Sequence, residues 1–62
     1  MNILIVEDER PAAERITRML RKADKSIIVT GVAESVEEAI NILQIPPLPD
    51  LILMDIQLDD GL

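Results

Sequence analysis

The chain has 62 residues, no cysteine, no histidine, no aromatic residue and a formal net charge of -6. These features exclude disulfide staples, a classical zinc site and nucleic-acid binding by base stacking on aromatic side chains. A domain of this length buries only about 60% of its unfolded surface, so it is marginal by itself and its core must be built from Ile, Leu, Val, Met and Ala. All six basic residues lie between Arg10 and Lys25, and every charge from Ser26 onward is acidic. An acidic chain does not supply the phosphate contacts on which nucleic-acid affinity rests, so no direct nucleic-acid contact by this segment is expected. No apolar run approaches the ~20 residues of a membrane span, so no membrane contact is expected. Met1-Asn2 leads into a strand-like run without the basic segment of a signal peptide. With the absence of cysteine, this agrees with a cytoplasmic setting.

Asn2 to Val6 is short, apolar and β-branched, the pattern of a buried strand, and it ends in acid at Glu7-Asp8-Glu9. Pro11 suits the first turn of a helix. Ala13, Ile16, Leu20 and Ala23 recur at spacings of three and four, which predicts a helix from about Pro11 to Ala23 with these residues on its buried face. Arg15, Arg18 and Lys22 fall on the opposite face, either as a solvated surface or as a stripe that steers an acidic partner. Ile27 to Val32 reads as a second strand, and Gly31 inside it suggests a bend or close packing. Ser35 and Glu38 form a capping-box pattern, and Val36, Ala39, Ile40 and Leu43 the buried stripe of a second helix. Pro46, Pro47 and Pro49 forbid its continuation. Leu51 to Ile56 is a third strand containing Asp55, and Asp60-Gly61 is a turn signal.

Strands alternating with helices imply an α/β fold with a parallel sheet, and in such sheets ligands bind beyond the carboxyl ends of the strands. Glu7, Asp8 and Asp55 sit at such ends. Carboxylates gathered there repel one another unless a cation or proton offsets their charge. Hard carboxylate oxygens suit Mg²⁺ or Mn²⁺, and a carboxylate beside such a metal can act as a nucleophile toward phosphorus. The plainer alternatives are a solvated strand-end Asp55 and a helix-dipole role for Glu7-Asp8, a role that Glu9 fits best.

Ile3-Leu4-Ile5-Val6-Glu7-Asp8-Glu9, taken with Pro49-Asp50-Leu51-Ile52-Leu53-Met54-Asp55-Ile56-Gln57-Leu58, resembles the first half of a response-regulator receiver domain. The resemblance covers essentially the whole chain and implies the β-α-β-α-β half of a flavodoxin-like doubly wound sheet, strand order 2-1-3. It implies Asp55 as the phospho-acceptor, taking phosphate from a histidine of a sensor kinase or phosphotransfer protein. It implies Mg²⁺ (or Mn²⁺) held by Asp8, Glu7, Asp55 and the backbone carbonyl of Gln57, and self-phosphorylation without enzymatic turnover. Glu7-Asp8-Glu9 and the short Asp55-to-Gly61 loop look more like receivers joined to LytTR-type output domains. Receivers have five strands, with a Ser or Thr after the fourth and a Lys after the fifth. Neither Thr17, Thr30, Lys22 nor Lys25 falls where those groups are needed, so residues 1–62 read as a truncated receiver lacking strands four and five. An open third strand would then favour a homodimer, a domain-swapped species or a poorly folded fragment. The alternative reading is a non-catalytic half-domain that assembles through that edge. A calcium loop at Asp55 to Gly61 lacks the glycine position and terminal Glu it needs. A dehalogenase-type phosphatase would need a second Asp where Gln57 stands.

Overall fold

In chain order the elements are β1 (Asn2–Val6), α1 (Arg10–Ala23), β2 (Ile28–Ala33), α2 (Val36–Ile42) and β3 (Leu51–Met54). They come from a computed structural model that describes residues 1–54; the expectations resting on Asp55, Ile56, Gln57, Asp59, Asp60 and Gly61 lie outside the described residues. The strands are parallel, as the alternation predicts, and ordered β2-β1-β3, as the resemblance implies.

β1 is central, so both its faces must be apolar. Ile3, Leu4, Ile5 and Val6 are each no more than 1% exposed. Leu4 and Val6 pack with Ala33 and Ala39, with Ile42 and Leu43 against them, on the α2 face. Ile3 and Ile5 pack with Ala13 on the α1 face, where Ile16, Leu20, Val29 and Leu53 close around them. Alanine at the two helix contacts, Ala13 and Ala39, lets each helix backbone approach the sheet.

β1 and β3 pair without interruption from Ile3↔Leu51 to Val6↔Met54. The start of this ladder is clasped by Asp50. Its Oδ2 accepts from the Asn2 backbone N–H at 2.8 Å, and its own N–H donates to the Asn2 carbonyl at 2.7 Å. β2 instead carries a bulge. Ile3 pairs with Val29 and Leu4 with Gly31, which leaves Thr30 as the extra residue. Thr30 Oγ1 donates to the Ile3 carbonyl at 3.3 Å. The expected bend near Gly31 is therefore real, but close packing is not its cause. A Cβ at Gly31 would lie 3.6 Å from Leu4 Cδ1, an ordinary contact.

Two predicted helix faces need correction. Ala23 is exposed, because Ile27 after the turn packs against the cluster that Leu20 reaches. Val36 and Ile40 are 37% and 53% exposed, and the row that meets the sheet is Ala39, Ile42 and Leu43. The arc that meets the sheet is centred on Ala39, with Ile42 about 60° to one side and Leu43 about 40° to the other, and Ile40, about 100° from Ala39, falls outside it. α2 is capped as predicted, with Ser35 Oγ accepting from the Glu38 N–H at 3.1 Å. α1 starts one residue earlier than expected, and Pro11 lies in its first turn. At its other end Asp24 Oδ1 accepts from the Ser26 N–H at 2.9 Å and the Ser26 hydroxyl at 2.7 Å, turning the chain into β2. Among the described residues, no helix is long and apolar enough to cross a membrane.

Candidate functional site

The carboxyl ends of β1 and β3 lie side by side, because Val6 pairs with Met54. Glu7 and Asp8 follow Val6 directly, and Asp55 is the next residue in sequence after Met54. Glu7 extends the ladder beyond β1, its N–H donating to the Ala33 carbonyl at 2.8 Å. This bond fixes the point at which the chain leaves the sheet. The Glu7 side chain is only 5% exposed, and its Oε2 accepts from the Glu9 N–H at 3.1 Å. The loop from β1 to α1 thus turns around its own carboxylate, with the second Glu7 oxygen left for another partner. Asp8 is exposed at the same strand end.

Glu9 occupies the N-cap position of α1, but its side chain makes no capping bond and no acid lies in the first turn. Its expected service to the helix end is therefore not through a side-chain cap. Arg10 Nη2 stands 3.6 Å from Glu34 Oε1, linking the start of α1 to the loop after β2. Both side chains are well exposed, and such pairs contribute at most about 1 kcal/mol. Sequence reasoning missed this pair and the Asp50 clasp, because neither has a local signature.

Among the described residues, no group of three or more acids, histidines or cysteines is close enough to hold a metal ion. Glu7 and Asp8 supply two adjacent carboxylates, an oxygen donor set that suits a hard cation. Asp55 and Gln57, expected to complete the set, lie outside the described residues. Arg15, Arg18 and Lys22 are all exposed on α1, and Thr17 is held within that helix by its hydroxyl donating to the Ala13 carbonyl at 2.9 Å.

A central parallel strand that runs straight into paired acids, flanked by a second strand in register, has the form of half a doubly wound α/β domain. The profile of the response regulator receiver domain family matches residues 3–62. The chain belongs to that family. It is 38% identical over 64 residues to the positive alginate biosynthesis regulatory protein of Pseudomonas aeruginosa, in an alignment covering all of this chain and 25% of that protein. The chain thus spans a quarter of the length of the curated relative it matches. No solved structure matches it significantly.

Proposed function

We propose that this receiver domain accepts a phosphoryl group on Asp55, from a phosphohistidine of a sensor histidine kinase or phosphotransfer protein. The observation that supports this most is the register of β1 and β3, which among the described residues runs to Val6↔Met54, with acids next in sequence after both. An Asp55 carboxylate oxygen attacks phosphorus and forms a P–O bond. The P–N bond breaks, and its electron pair returns to the imidazole, which takes up a proton. The product is an acyl phosphate. Positioning and charge neutralisation dominate the barrier for such transfers.

Asp8 and Glu7 would hold Mg²⁺ or Mn²⁺ together with Asp55 and the Gln57 carbonyl. When bound, the cation lowers repulsion between the anionic nucleophile and the anionic phosphoryl group. Exposed Asp8 is free to bind it directly, whereas Glu7 is already engaged by the Glu9 N–H and is better placed to act through water. Residues 1–62 supply the first three strands of the receiver. On this reading the domain changes state once per phosphorylation and is not a turnover enzyme. Its phosphorylation biases a surface that controls a partner or an output domain, and the form of the acidic loop favours one of LytTR type.

The metal half of this reading is tested by titrating Mn²⁺ into ¹⁵N-labelled protein. The amides of Glu7, Asp8 and Glu9 are expected to broaden first, and Asp8→Asn to weaken that broadening at least tenfold. Asp24→Asn, at the opposite end of α1, should leave it unchanged. Broadening that starts instead at Glu34 to Glu38, or survives Asp8→Asn, would refute the assignment.

A further inference from the structure

β2 is an edge of the sheet, and among the described residues only β1 pairs with it. Edge strands usually carry a charge, a proline or a cover that prevents pairing with another chain. Here no charge and no proline occurs between Lys25 and Glu34, and Ile28 and Val32 are 58% and 39% exposed. We propose that this edge docks a second copy of the chain, with the two β2 strands antiparallel about a two-fold axis between Val29 and Thr30.

Charge complementarity selects this occupant. Lys25 precedes β2 and Arg21 and Lys22 lie in the last turn of α1, so the end where β2 begins is net basic, three cations against the Asp24 carboxylate. The end where it finishes is net acidic: Glu34 follows the strand and Glu37 and Glu38 lie in the first turn of α2, and they outnumber Arg10, which stands 3.6 Å from Glu34 in an exposed and therefore weak pair. Antiparallel pairing sets the acidic end of each copy against the basic end of the other, and the two-fold repeats the match. An extended partner of uniform charge would match one end and clash with the other.

The bulge supports the same register independently. About this axis Ile27 faces Val32 and Ile28 faces Gly31 of the second copy, and the turn carrying Lys25 comes nearest to the second copy's Glu34. In an unbroken strand, residues an odd number apart, five for Ile27 and Val32 and three for Ile28 and Gly31, point to opposite faces, and these pairs would mismatch. The extra residue Thr30 corrects this. Ile27 packs in the α1-face cluster, and Val32, paired with Ile5, lies on that same face. Ile28 and Gly31, paired with Asn2 and Leu4, share the α2 face. An axis perpendicular to the sheet preserves faces, so both pairs meet correctly. On the α1 side, a cleft of about 430 Å³ beside Val32, bounded by Arg10, Arg18, Arg21 and Glu34, leaves room for the side chains of an added strand. The product joins the described strands of both copies into one continuous sheet. Such a contact is small, in the class of transient interfaces, with a dissociation constant on the order of 10⁻⁴ M.

The test is analytical ultracentrifugation of the intact protein at low ionic strength, for the wild type, Lys25→Glu, Glu34→Lys and the double swap. Both residues are exposed, and circular dichroism confirms that each variant is folded. The wild type is expected to self-associate, each single variant to weaken association about tenfold by creating two like-charge contacts, and the swap to return to within about threefold of wild type. A wild type that stays monomeric to millimolar concentration overturns the proposal. So does association that the single variants leave unchanged, or that the swap does not restore.

Discussion

Replacing Gly31 by alanine is expected to stabilise this domain. A glycine inside a strand usually invites the opposite expectation, that space or an unusual backbone demands it. Neither holds here. The Cβ would meet Leu4 Cδ1 at 3.6 Å, normal van der Waals contact, and Gly31 does not adopt a left-handed backbone conformation. Alanine removes freedom from the unfolded chain, which stabilises by about 0.4–1 kcal/mol where the native backbone tolerates it. The new methyl also gains a packing contact with Leu4, a residue of the α2-face cluster. A gain of about 0.5–1 kcal/mol corresponds to a rise in Tm of roughly 2–8 °C for a domain of this size. Urea unfolding followed by circular dichroism should show a higher midpoint with an unchanged slope. A loss of more than about 1 kcal/mol would refute the reasoning, because strain or a clash would then outweigh the usual Gly→Ala gain.

Leu4→Ala should cost about 2–5 kcal/mol, since Leu4 is fully buried and Gly31 beside it has no side chain to fill the space. Set against the roughly 3–9 kcal/mol that 62 residues supply, this is a large share of the stability, and the urea midpoint by circular dichroism should fall accordingly. Ser35→Ala removes the cap on the Glu38 N–H and should cost about 1 kcal/mol in urea unfolding, whereas Ser35→Asp should recover most of it. The Asp24 carboxyl is held below the ordinary value of 3.8 by the Ser26 backbone N–H and then by the Ser26 hydroxyl. Its folded value is depressed, so its contribution to stability is present above 3.8 and is lost as pH falls through the folded value. In a ¹³C carboxyl titration, Ser26→Ala should move Asp24 part of the way back up and no further, because the backbone donor remains.

Much of the architecture is legible in the residue pattern. A run such as Ile3 to Val6 can be buried on both faces only at the centre of a parallel sheet, and the helical spacings supply the two crossovers. What the pattern does not carry is which part of an apolar stripe finds a neighbour. Periodicity assigns an angle around a helix, so Val36, Ile40 and Ala23 look equivalent to Ala39 and Ala13 although only the latter two meet the sheet. The bulge is half legible. Gly31 signals an irregularity, yet the extra residue is Thr30, and that depends on the register against β1. The Asp50 clasp joins positions 48 residues apart and has no local trace. At the site, the placement of Glu7 and Asp8 at a strand end follows from the acids that close an apolar run. The burial of Glu7 and its bond to the Glu9 N–H do not, because they depend on how the loop folds back.

The central claim, that Asp55 accepts phosphate at the carboxyl end of β3, is tested most directly by intact mass spectrometry. The protein carrying this chain is incubated with acetyl phosphate and Mg²⁺, beside its Asp55→Asn variant. One phosphoryl group should appear on the wild type, be lost on treatment with hydroxylamine as an acyl phosphate is, and be absent from the variant. Phosphate that persists in Asp55→Asn, or a folded wild type that binds Mn²⁺ at Glu7 and Asp8 yet gains no phosphoryl group, would contradict the account.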